Sequence, residues 1–141
     1  MEDPYRLERF VDAQNHNGTY EMAVSELRAG RKMTHWMWFI FPQIKGLGRT
    51  PTSREYAISS LAEAQAYLRH PVLGRRLAEC ARTLLGVEGK SATEIMGTID
   101  AMKLRSSMTL FMSVKPEEAV FREVLAKYFH GSPDQETIVR L

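Results

Sequence analysis

The sequence predicts an all-α fold, and three observations carry that prediction. Apolar residues recur three and four positions apart along nearly the whole chain, which is the period of one helix face. Helix-start signals precede these stretches, at Asp3-Pro4, at Ser60, and at Ser91 with Glu94 three residues on. Helix-stop glycines follow others, at Gly30 and Gly131. The expectation is a compact single-domain bundle of about seven or eight short helices over residues 1–141. At 44% hydrophobic and 26% charged, the 141 residues have the composition of a folded domain, not a disordered one.

Each element has a local reason. Asp3 is an N-cap and Pro4 suits the first helical position, so a helix should run to about residue 15, with Leu7, Phe10 and Val11 inward. Asn15-His16-Asn17-Gly18 is a turn by composition. Thr19 caps a second helix whose stripe is Tyr20, Ala23, Val24 and Leu27, stopped by Gly30. Residues 33–41 read as a short buried helix, ended where Pro42 disfavours the α region for Phe41. A buried strand fits the same apolar run.

Residues 44–53 form a loop, and helices follow over 54–59, 61–70 and 71–85, the second capped by Ser60. Residues 86–89 are a short connection. Ser91 and Glu94 make a capping box. A longer helix covers 99–114, Pro116 opens another at its first position to His130-Gly131, and Ser132-Pro133 begins a last helical turn to Leu141. No internal repeat is present.

Composition excludes several functions. The net charge of +2, from 19 basic and 17 acidic residues, lacks the basic excess of a general nucleic-acid binder. Cys80 is the only cysteine, so neither an internal disulfide nor a cysteine-rich zinc site can form. Flanked by Leu77 and Leu84, it reads as a small buried hydrophobe. The N-terminus is charged from Glu2 and lacks an apolar signal region, and no apolar run approaches a membrane span. A cytoplasmic protein with no membrane association, no metal site and no cofactor is expected. H-E-x-x-H, G-x-S-x-G, C-x-x-C, P-loop and EF-hand patterns are all missing.

Four histidines are present, and three have structural roles to hand. His16 lies in a turn, while His70 and His130 sit at helix C-termini, where an imidazolium suits the dipole. His35 is the exception. On a helix it shares a stripe with Lys32 and Phe39. It is either a core histidine bonded to a backbone carbonyl or a pocket-lining imidazole and acid–base group. Trp36 reads as core; Trp38 is either core or a stacking wall.

Two further stretches hold polar residues with no obvious structural use. Gln43 leads into "IKGLGRTPTS", where Lys45 and Arg49 accompany Gly46, Gly48 and three hydroxyls. Such a loop either cradles a phosphate or is an ordinary solvated connection. "DAMKLRSSMTLF" aligns Asp100, Lys103 and Ser107 on one helical stripe beside Ser106. Close packing and ligand contact both explain a serine pair within a helix. Lys103 either pairs with Asp100 or presents a point charge to a carboxylate or phosphate.

The blocks "DPYRLERFVDAQ", "AVSELRAGRKMTHWMWFIFPQIKGLGRT", "YAISSLAEAQAYLRHPVLGRRLAEC" and "MKLRSSMTLF", with "FREVL" and "DQET" after them, closely resemble domain of unknown function family 1810. The resemblance implies a mainly helical fold and carries no catalytic assignment. The name calpastatin borne by some members does not suit a chain of this composition, because inhibitors of that kind are largely disordered. A fainter likeness runs to the NADAR group, small helical proteins linked to ADP-ribose chemistry.

The expected function is a pocket for an anionic, phosphate-bearing or nucleotide-like ligand. Its candidate residues are Lys32, Trp38, Gln43, Lys45, Arg49, Lys103, Ser106 and Ser107, with His35 as the catalytic candidate. An enzymatic version is a hydrolase acting on a nucleotide-like or ADP-ribose-like substrate. The alternative is a protein-interaction module or homodimer that uses the Trp/Met/Phe run as its interface.

Overall fold

A computed structural model describes residues 2–141. Among them it holds ten α-helices: α1 Glu8–Asn15, α2 Thr19–Arg28, α3 Met37–Ile40, α4 Pro51–Glu55, α5 Leu61–Arg69, α6 Leu73–Leu85, α7 Ala92–Met96, α8 Thr98–Val114, α9 Ala119–Phe129 and α10 Gln135–Ile138. The all-α expectation is met. The number is above seven or eight, and α3, α4, α7 and α10 are only four or five residues long.

The longest helix, α8, is the axle of the bundle. Its buried residues fall all round it, from Ala101 and Leu104 to Leu110 and Phe111, the pattern of a helix enclosed by its neighbours. It packs on α5, α7, α9 and α10, while α6 joins α2, α5 and α9. Aromatic rings continue the core across helices: Phe111 lies 5.4 Å from Tyr67 and 5.9 Å from Phe121, and Tyr67 meets Phe10 edge-on at 5.1 Å. Each such ring contributes about 1.5–3 kcal/mol by burial alone. Where α5 turns into α6, the chain must contain glycine, because a Cβ on Gly74 would lie 2.1 Å from the Leu68 carbonyl oxygen.

Local caps form where expected. Ser60 accepts from the Glu63 amide, and Ser91 and Glu94 complete their reciprocal box. Gly30 follows α2 with a φ of 70°. Other boundaries differ for identifiable reasons. Asp3 does cap, accepting from the Leu7 and Glu8 amides at 2.7 and 3.0 Å, but Arg6 has a φ of 52°, so α1 begins at Glu8 and not at Pro4. Thr19 is inside α2, and its hydroxyl donates to the His16 carbonyl instead of capping. The helix expected over residues 54–59 is α4, shifted to Pro51–Glu55 by the Thr50 cap, which accepts from Ser53. Pro116 lies in the turn ahead of α9, which starts at Ala119.

The segment after α2 departs furthest. Residues 33–36 are not helical; only Met37–Ile40 is. The Lys32 amide donates to the Ile95 carbonyl at 2.8 Å. Glu26 gathers the rest, accepting from the Met33 and Thr34 amides, the Thr34 hydroxyl at 2.7 Å and the Trp36 indole at 2.9 Å. A carboxylate offering four acceptor sites outcompetes the helix for these donors. The helical stripe of Lys32, His35 and Phe39 therefore does not exist.

One parallel bridge, Ile44 with Ile58, replaces any sheet among the described residues. Its bonds run from the Lys45 amide to the Ile58 carbonyl and from the Ile58 amide to the Gln43 carbonyl, both at 2.8 Å. Arg9 fastens the same region from behind. Its guanidinium donates to the Glu55 and Ala57 carbonyls and to Glu63 at 3.0 Å, and the Arg9 and Glu63 side chains are 11% and 3% exposed. Ser59 completes the Glu63 carboxylate through its amide and hydroxyl.

Candidate functional site

The pinned loop and α4 enclose a cleft of about 470 Å³, within the range of roughly 300–1,000 Å³ usual for small-molecule sites. Its sides follow from the sequence around them. The Ile44–Ile58 bridge holds Gln43 and Lys45 at one side. Thr50 caps α4 and places Ser53 and Arg54 opposite. Gly48 lets the loop close on Ser53, since a Cβ there would lie 2.4 Å from the Ser53 side chain. Gly46, with a φ of 98°, accommodates Arg140 of the C-terminal segment.

Lys45, Arg49 and Arg54 all line this cleft and are exposed at its rim. Among the described residues none of the three forms an ion pair. No carboxylate or imidazole lines it either. Uncompensated cations with low-dielectric walls focus a positive potential. Here those walls come from Trp38, Tyr56 and Ile44.

Trp38 links the cleft to α8. The Lys103 Nζ stands 4.5 Å from its ring centroid and 3.3 Å from Asp100 Oδ1. The other Asp100 oxygen receives Lys32 Nζ at 2.9 Å, and that ammonium lies 4.8 Å from the Trp36 ring centroid. One carboxylate thus serves two lysines, each over its own indole. Lys32 is only 6% exposed and also donates to the Thr34 carbonyl at 2.6 Å, so its charge is spent on structure. Lys103, at 21%, faces a second hollow that also includes Gln43 and Ser106.

The candidate residues divide accordingly. Trp38, Gln43, Lys45 and Arg49 line the cation cleft, and Gln43, Lys103 and Ser106 line the hollow beside it. The Ser106 hydroxyl donates to the Met102 carbonyl and to Asp134 at 3.0 Å, which docks α10. Ser107 is fully buried, and its hydroxyl lacks a partner among the described residues. His35 is exposed in a separate groove with Asp12, His16 and Phe39. Tyr56 borders both that groove and the cation cleft.

Two other histidines sit at helix boundaries. His70 Nδ1 accepts from the Val72 and Leu73 amides at the start of α6, and His130 takes the left-handed position after α9 with a φ of 55°. Of the Trp/Met/Phe run, Trp36, Met37, Ile40 and Phe41 are core, which leaves Met33, Trp38 and Phe39 for any partner. Burial pushes the Cys80 thiol up to about 12, consistent with a packed, unreactive cysteine. Among the described residues no group of acidic, histidine or cysteine side chains has a metal-binding arrangement, and no helix is long and apolar enough to cross a membrane.

Sequence reasoning missed Arg54 as a cleft cation, and Glu26, Glu63 and Arg9 as the groups that shape the walls. Arg54 had a local signal, its place one turn beyond a Thr-Pro cap. Glu26 had none, because its partners lie on a non-helical segment whose path depends on α7.

A family model described as protein of unknown function, DUF1810, matches residues 4–141. No curated protein matches the chain. A crystal structure of the conserved hypothetical protein Rv1873 from Mycobacterium tuberculosis is 51% identical, with a TM-score of 0.95 over 99% of this chain and 98% of that one. The chain belongs to the DUF1810 family.

Proposed function

From that family membership, which fixes a fold and no activity, we propose that the protein binds a small anionic, phosphate-bearing or nucleotide-like ligand in the cleft between the 44–50 loop and α4. One observation carries the reading: Lys45, Arg49 and Arg54 line a single cavity that no carboxylate lines, and among the described residues none of the three forms an ion pair. Arginine forks suit phosphate oxygens bidentately, and the glycines at 46 and 48 let a ligand approach the backbone. Gln43 adds a neutral donor and acceptor at the rim, and Trp38 an indole wall.

Hydrolysis of a phosphate or glycosidic link would need an acid–base group beside the anion. His35, the candidate for that role, lines the groove with His16 and Asp12 instead. Binding is the function proposed for the cleft, and His35 stands in its own groove.

Thermal denaturation against phosphate, pyrophosphate, sugar phosphates, nucleotides and ADP-ribose tests the reading. A ligand at 100 times its Kd adds about 2.7 kcal/mol, a shift of several degrees for a domain of this size. The shift should disappear in Arg49→Ala and Arg54→Ala, whose side chains make no ion pair to lose. No shift with any anion would overturn the proposal. The second reading, a protein-interaction module or homodimer that uses the Trp/Met/Phe run, draws on Met33, which is 67% exposed, with the half-buried Trp38 and Phe39. Light scattering of the purified chain distinguishes a dimer from a monomer.

A further inference from the structure

The cation cleft continues past Gln43. A second hollow of about 260 Å³ adjoins it, and Gln43, Gly48 and Ser53 line both. The chemistry changes across that shared edge. On the cleft side stand the free cations; on the other, Leu47, Ile99 and Met102 make an apolar wall, and the cation there, Lys103, is paired with Asp100. Ile99 and Met102 are 72% and 66% exposed, although they belong to the most enclosed helix of the bundle.

Two carboxylates also border this annex, Asp134 and Glu136. Asp134 is occupied at Oδ2, which accepts from the Ser106 and Thr137 hydroxyls and the Thr137 amide. Glu136 is 69% exposed and has one loose contact, to Arg140 at 3.5 Å. It is the more exposed of the two acceptors offered to a ligand, beside the second Asp134 oxygen.

Resting on the anion reading above, we propose that the annex receives the nucleoside part of a nucleoside phosphate whose phosphates lie on Lys45, Arg49 and Arg54. A planar base fits the Ile99–Met102 wall, where the flexible thioether adapts to a flat partner. Sugar hydroxyls or an exocyclic amine supply the donors that Glu136 accepts. A bare anion would use neither feature. An alkyl or acyl phosphate would cover the wall, but would offer Glu136 no donor. The annex thus selects a ligand with an anion at one end, an apolar plane at the other and donors between.

Calorimetric titration of the full chain with pyrophosphate, ADP and octyl phosphate tests this. ADP should bind about tenfold or more tightly than pyrophosphate, the gain a stacked base supplies. That gain should vanish in Ile99→Ser/Met102→Ser, a double change at exposed positions, while pyrophosphate affinity stays the same. Equal affinity for ADP and pyrophosphate would overturn the annex proposal and leave the anion reading standing. A preference that survives the double change would place the base elsewhere and overturn it too. Octyl phosphate binding as tightly as ADP would overturn the nucleoside class. If neither pyrophosphate nor ADP binds, the anion reading fails and takes this inference with it.

Discussion

Lys103 holds its ammonium 4.5 Å from the Trp38 ring centroid, and that contact joins the two most distinctive stretches of the chain at the edge of one cleft. The lysine is partly exposed and keeps its Asp100 partner, so the contact itself contributes only about 0.5–1 kcal/mol. Lys103→Met should therefore cost no more than about 1 kcal/mol in urea denaturation. It should change the Trp38 emission, because a cation leaves the indole face. A loss several times larger would show that Lys103 is a structural keystone.

Asp100 is the residue whose loss should be costly. Removing its carboxylate leaves Lys32, 6% exposed, as a charge without its partner. Breaking a buried pair from one side costs roughly 3–5 kcal/mol, and the remaining bond to the Thr34 carbonyl keeps the expected cost of Asp100→Ala near the lower figure. Adding Lys32→Met should restore much of it, since the uncompensated charge is then gone. Chemical denaturation of the two single variants and the double variant measures the coupling directly.

Glu26 predicts a pH dependence. Burial pushes its carboxyl up, but the bonds it accepts from Thr34, Met33 and Trp36 outweigh that and hold it below the ordinary value of 4.5. A carboxyl lowered by folding contributes stability that is fully present above its unfolded value. That stability is lost as pH falls through the folded value. The midpoint of unfolding should accordingly decline from about pH 4.5 downward. In Glu26→Gln that part of the decline should flatten, and stability at neutral pH should fall by about 1–3 kcal/mol, because buried donors lose a charged acceptor. An unchanged acid limb would show that Glu26 is not the clamp of the 33–36 segment.

Gly74 lies just inside α6, where alanine is ordinarily better than glycine by up to about 1 kcal/mol. The Leu68 carbonyl reverses the sign. A Cβ at 2.1 Å from that oxygen forces the α5–α6 turn apart, and overpacking of this kind costs about 1–3 kcal/mol. Gly74→Ala should lower the unfolding midpoint. A raised midpoint would mean that the turn yields freely.

What could be read from the sequence was what short-range chemistry decides. Ser60 and Ser91 cap amides three residues away, and Gly30 ends α2 in its own turn, so these elements sit where their residues say. Residues 33–36 carry an apolar helical pattern and are not helical, because Glu26 and Ile95 bind their backbone from elsewhere in the fold. The site divides in the same way. Lys45, Arg49, Trp38 and Lys103 stand out by type and neighbourhood, but their grouping depends on the Ile44–Ile58 bridge and the Asp100 carboxylate. His35 stood out because a helix would have enclosed it. Without that helix it is an exposed side chain in another groove.

The most direct test of the account is the position of a phosphate. Crystals of the protein soaked with ADP should show the phosphate groups within hydrogen-bonding reach of the Arg49 and Arg54 guanidinium groups and Lys45 Nζ. The adenine should lie against Ile99 and Met102. Phosphate density anywhere other than this cleft, at a concentration that saturates the protein in solution, would contradict the assignment of the cation cleft as the anion site.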